Sequence, residues 1–104
     1  MSSFDERQKG FEAKYAHDAE MQFKVEARRN KLLGQWAAGL MGKEGDAIAA
    51  YAVEVIKADF EEAGDEDVYR KLSGDLGNLA DEETIRGKMV EMKAQAQDQL
   101  MNEG

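Results

Sequence analysis

The chain has 104 residues, 14 of them basic and 22 acidic, for a net charge of −8, with no cysteine and no proline. That length bounds one domain with a modest core. The missing cysteines exclude disulfides, thiolate chemistry and cysteine-based zinc sites, and the acidic balance argues against nucleic acid and anionic membrane surfaces as partners.

No apolar run approaches the roughly 20 residues of a membrane span. The opening MSSFDERQKG has neither the basic nor the apolar part of a secretory signal. A cytoplasmic protein without direct membrane insertion is therefore expected. Charge is uneven: residues 1–20 carry −2, residues 21–41 carry +3 and the remainder −9.

Residues 1–17 read as an arm. Ser3 to Glu6 matches a capping box, in which the hydroxyl and the carboxylate satisfy reciprocal backbone donors. Phe4, Phe11 and Tyr15 fall on one side of a helix, but the stripe is thin and Gly10 costs about 1 kcal/mol in its interior. So short a helix is marginal alone, so the arm is expected to be disordered or nascent when free and helical when docked.

A first helix is predicted from Asp18, its cap, to Met41, with Gly42 as the left-handed residue that ends it. Met21, Val25, Arg28, Leu32, Trp36 and Leu40 recur near helical spacing, and Phe23, Ala27, Leu33, Ala37 and Met41 broaden the stripe. Gly34 and Gly39 inside it predict close approach of a neighbouring helix. A second helix is predicted from a cap at Asp46 to about Glu61, with Ile48, Tyr51, Ala52, Val55, Ile56 and Phe60 inward and Gly64 as its stop. A short third helix follows from a cap at Asp65 to Leu76, turning Val68, Leu72 and Leu76 inward. The fourth runs from Asp81 to about Asn102, with Ile85, Met89, Met92, Ala96 and Leu100 on one side. No segment alternates with period two, so the expected fold is all-α: a compact four-helix bundle at 18–104, one helix short, carrying the flexible arm at 1–17.

Chemistry is sparse. His17 is the single imidazole, with nothing to complete a metal site. Gly42 to Asp46 lacks the length, the ending and the preceding strand of a phosphate loop. The acidic runs at Asp65 and Asp81 sit where helices begin, and capping explains them. No pair of carboxylates is set apart as catalytic, so the chain is not read as an enzyme. The basic block of Lys24, Arg28, Arg29 and Lys31 is the most distinctive chemistry. It fits ion pairs within the chain, an acidic partner surface, or a phosphate, for which the arginine fork is suited. Trp36 and the methionines read as core.

The run Phe4-Asp5-x-Arg7, Phe11-Glu12-x-Lys14-Tyr15, Asp18, Glu20, Phe23-Lys24, Ala27-Arg28-Arg29-Asn30-Lys31-Leu32-Leu33-Gly34 and Trp36-Ala37-Ala38 resembles the zeta subunit of the F-type ATP synthase of alphaproteobacteria. The similarity continues through Tyr51, Val55, Asp59, Gly64, Asp67-Val68 and Lys71. The resemblance implies a four-helix inhibitor of ATP hydrolysis. In that family an N-terminal region enters an interface between catalytic and non-catalytic subunits of the soluble head, close to the rotor stalk, and blocks reverse rotation. Carried over, that region spans Ser2 to Ala19, with Phe4, Asp5, Arg7, Phe11, Lys14 and Tyr15 as partner-binding candidates. No cofactor is implied. The alternative of another class is a helical sensor with a weak adenine nucleotide ligand near Arg28 and Arg29.

Overall fold

The computed structural model of the protein describes Lys9, Gly10, Ala13 and residues 18–60 and 64–103. Between Ala19 and Glu103 four α-helices follow one another: α1 (Ala19–Leu40), α2 (Asp46–Ala58), α3 (Glu66–Leu76) and α4 (Glu82–Glu103), with a 3₁₀ turn at Gly77–Leu79 between the last two. Among the described residues there is no strand, and the four-helix all-α expectation stands.

Helix α1 is the axis of the bundle, packing mainly against α2 and α4, while α3 bridges those two. Its ends are set by local chemistry. The Asp18 carboxylate accepts from the backbone N–H of Glu20 at 3.0 Å and of Met21 at 3.3 Å, which satisfies two donors that have no partner within the helix. At the other end Gly42 takes φ +77°, and the N–H groups of Gly42 and Lys43 reach back to the carbonyls of Gly39 and Ala38. This paired closure needs a residue free of a Cβ penalty at Gly42.

The core draws on every helix: Leu33, Ala37 and Ala38 from α1, Tyr51 and Val55 from α2, Val68, Leu72 and Leu76 from α3, Ile85 and Met89 from α4. Trp36 packs against it from the edge and is only partly buried. Gly34 marks the closest approach. A Cβ built there would lie 2.5 Å from the Ala52 Cα, so α1 and α2 touch backbone to backbone.

Several expectations need correction. Gly39 faces open space, so helix contact does not explain it. Asp46 is the first residue of α2 and not its cap; Gly45 precedes it at φ +57°, and the Asp46 carboxylate suits the positive helix end instead. Helix α2 stops at Ala58, and Phe60 turns outward to 65% exposure. Asp65 makes no side-chain cap for α3, because its carboxylate is taken by Arg29. In α4, Met101 is buried whereas Met92 and Leu100 are half-buried. In α1, Leu40 is 42% exposed, and the inner face carries Arg29 and Asn30.

Candidate functional site

The basic block of α1 resolves into residues with different jobs. Arg29 is only 2% exposed and Asn30 only 1%. The Arg29 Nη1 donates to Asp65 Oδ1 at 2.8 Å, its Nε donates to Asn30 Oδ1 at 3.0 Å, and the Asn30 amide donates to Asp59 Oδ2 at 3.0 Å. The remaining Arg29 Nη2 lies 3.7 Å from Asp59 Oδ2, within ion-pair range but too far for a hydrogen bond. One guanidinium thus holds both ends of the α2–α3 connection against α1. Asp67, buried beside this cluster, turns its carboxylate to the Val68 N–H at 2.8 Å.

Burial raises the affinity of Asp59 for a proton, even though Asn30 and Arg29 pull the other way. Glu26 is raised as well, by burial first and by the neighbouring Asp59 charge second. A carboxyl raised in the folded state contributes stability that is present at low pH and lost as pH rises through its folded value. Glu26→Gln should therefore raise the melting temperature at pH 7 and have less effect near pH 4.5, the ordinary glutamate value. Thermal melts at the two pH values check this; a drop at pH 7 would mean that the attraction of Glu26 to Arg29 outweighs its burial and its repulsion from Asp59 together.

Arg28 turns to the other side and donates to Gln99 at 2.8 Å and Glu103 at 3.0 Å, tying α1 to the end of α4. Lys24 makes an exposed pair with Glu20 at 3.5 Å, and Lys31 is exposed. The four cations therefore do not converge on one phosphate-sized point. Of the three readings of the block, intramolecular pairing describes Arg28 and Arg29, and Lys24 and Lys31 remain on the surface.

Two further clamps join the helices. The Tyr51 hydroxyl donates to Asp75 at 2.8 Å while the Lys71 ammonium lies 5.1 Å from the ring centre. Lys71 also pairs with Glu54 at 3.2 Å and Asp75 at 3.0 Å. Arg86 forks onto Glu66 at 3.0 and 3.2 Å, bonds Glu82 at 3.0 Å and stacks 4.0 Å over Tyr69. Among the described residues no cluster of His, Cys, Asp or Glu is arranged to hold a metal ion, and no helix is long and apolar enough to cross a membrane. The arm candidates Phe4, Asp5, Arg7, Phe11, Lys14 and Tyr15, the Ser3–Glu6 capping box and His17 lie outside the described residues.

A family model described as ATPase inhibitor subunit zeta matches residues 1–99. The chain belongs to that family. It is accordingly a regulatory protein, an ATPase inhibitor subunit, and not an enzyme. A protein with a known solution NMR structure is 57% identical to this inhibitor, with a TM-score of 0.76; the match covers 81% of this chain and 99% of that one. No curated protein matches it.

The geometry separates the inhibitor's family pattern into scaffold and surface. Arg29, Asn30, Tyr51, Asp59 and Lys71 hold helices together, Asp67 bonds the next backbone N–H of its own helix, and Gly64, at φ +91°, turns the α2–α3 connection. The exposed, stacked pair Phe23 and Phe60, with ring centres 5.8 Å apart, was missed as a surface feature. Periodicity places both on inner faces, because helical spacing cannot tell a buried aromatic residue from one at the edge of the stripe.

Proposed function

We propose that this chain inhibits ATP hydrolysis by the F-type ATP synthase, with residues 2–19 entering as a helix at a catalytic subunit interface of the soluble head, close to the rotor stalk, and blocking reverse rotation. The observation that carries the reading is the family match over residues 1–99, which includes the arm. The bundle lends support: α1 starts at its own cap, Asp18, and residues after it assemble a core drawn from all four helices.

In this mechanism the arm does no bond chemistry. Phe4, Phe11 and Tyr15 fill apolar gaps at the subunit interface, while Asp5, Arg7 and Lys14 make polar contacts at its edge. Ordering the arm costs about 1–2 kcal/mol per residue of backbone entropy. Its attachment to a folded bundle lowers the rest of the cost by keeping it near the docking site. Asp18, whose backbone is extended with φ −117° and ψ 105°, caps the start of α1. In this reading the bundle acts as a stop outside the head while the arm is inside. Nucleotide sensing through Arg28 and Arg29 lacks comparable support, since both guanidinium groups are engaged within the bundle.

The test adds full-length protein, or a version lacking residues 1–17 that retains the Asp18 cap, to purified synthase heads. Full-length protein should suppress ATP hydrolysis; the shortened one should not, while keeping its helical circular dichroism and cooperative melting. Equal inhibition by both would put the inhibitory surface on the bundle.

A further inference from the structure

Both ends of the α2–α3 connection are fastened to one spot on α1. Asp59, just past the end of α2, accepts from the Asn30 amide at 3.0 Å and lies 3.7 Å from the Arg29 Nη2, which makes no hydrogen bond among the described residues. Asp65, just before α3, accepts from the Arg29 Nη1 at 2.8 Å. Phe60 adds a surface contact, with its ring centre 5.8 Å from that of Phe23. Such a fastening is light beside the buried core, and segments of this kind open on their own. Helices α1 and α2 touch backbone to backbone at Gly34, so the part that can give way is the connection.

The spot is crowded with carboxyl groups. Glu26 of α1 and Asp59 line one depression together with Phe23 and Phe60. Asp65 joins them from the connection, and Asp67 of α3, 4% exposed, acts on Asp59. The cations facing them are Arg29 and, from α4, the exposed Lys93, which lines a second depression with Arg29 and Asp65. Four carboxyl groups thus share one buried cation and one solvated cation. Burial raises the proton affinity of both Glu26 and Asp59; the Asp59 charge adds to the first, and Asp67 and Asp65 add to the second. Groups raised in this way stabilise the closed arrangement at low pH, and that contribution is lost as pH rises through their folded values. Once ionised, the two carboxylates repel each other and regain water by moving apart.

We propose that the α2–α3 connection is a proton-operated latch, closed on α1 while Glu26 or Asp59 holds a proton and loosened once both are ionised. Opening lets Asp59 reach water and parts Phe60 from Phe23. The latch is a property of the bundle, independent of how the arm acts.

The experiment follows amide hydrogen exchange in the full-length chain by NMR at pH 4.5 and pH 7, with rates corrected for the intrinsic pH dependence of exchange. Two amides report the latch: the Phe60 N–H bonds the Lys57 carbonyl and the Tyr69 N–H the Asp65 carbonyl, each at 3.1 Å. Leu33 and Val55, fully buried in the core, report opening of the whole bundle. Protection at Phe60 and Tyr69 should be roughly three- to ten-fold lower at pH 7 than at pH 4.5, and at pH 7 it should stay below that of Leu33 and Val55. E26Q, neutral at both pH values, should keep Phe60 and Tyr69 at pH 7 near the protection that wild type shows at pH 4.5. In wild type the carboxyl carbon of Glu26 should titrate over the pH range in which protection falls. Unchanged protection at the two reporters overturns the latch, as does an undiminished pH effect in E26Q or a Glu26 titration in a different range. Equal protection of all four amides at pH 7 also overturns it, because the connection then opens only with the whole bundle.

Discussion

Arg29→Met should destabilise the bundle by about 3 kcal/mol, because removing one partner of a buried pair leaves the others uncompensated. Asp59 and Asp65 would lose the guanidinium that holds them, and the Asn30 amide would lose the donor that fixes its orientation. Glu26, Asp59, Asp65 and Asp67 would then repel one another with no central cation. Methionine replaces the bulk of the side chain, so the effect is electrostatic more than steric. At this chain length the melting temperature should fall by roughly 10–20 °C. The same substitution at Arg28, whose bonds lie near the surface, should cost only a fraction of that. Urea denaturation of the two variants separates them, and equal losses would show that the Arg29 network is no stronger than a surface pair. Below its melting temperature, Arg29→Met should still inhibit, since Arg29 has no face open to a partner.

The second large effect is at Gly34. Alanine in a helix interior is ordinarily favoured over glycine by about 1 kcal/mol. At Gly34 the added methyl would sit 2.5 Å from the Ala52 Cα and 3.2 Å from its nitrogen, so two helix backbones must separate. Overpacking of that kind costs about 1–3 kcal/mol, and the contact is with backbone, which cannot rotate away. Gly34→Ala should therefore be destabilising on balance, and Gly34→Val more so. Gly39→Ala, with nothing within 4 Å, should stabilise by up to about 1 kcal/mol. Opposite signs at these two positions of one helix are the expected result. A stabilising Gly34→Ala would mean that α1 and α2 slide apart at little cost.

The inhibitor's bundle was legible because its signals are local. Asp18 and Asp81 each accept backbone N–H bonds at a helix start, as their sequence positions suggest. Gly42, Gly64 and Gly77 take positive φ where helices or turns end. Val68, Leu72 and Leu76 are buried at their expected spacing because α3 is short and strongly one-sided. Helix α4 was read less well: polar and apolar residues are mixed around it, so the pattern chose Leu100 where packing chose Met101.

The basic block shows the opposite case. Four cations close together in sequence look like one site, but a helix turns each residue by about 100°. Arg28 therefore points to α4, Arg29 points into the bundle, and Lys24 and Lys31 stay outside. Asp65 could be a helix cap or the counter-ion of a distant arginine, and both readings place it before α3. Its choice depends on where α1 lies, 36 residues earlier.

The sequence by itself determined the helices and most of their ends, since capping, glycine stops and apolar periodicity act over a few residues. Its family pattern also placed the chain among ATPase inhibitor subunits. Only the tertiary structure decided that Arg29 and Asn30 are structural, that Gly34 and not Gly39 admits a neighbour, and that Phe23 and Phe60 meet at the surface. Each of these depends on how two separate helices are placed against each other, which no single stretch of the chain encodes.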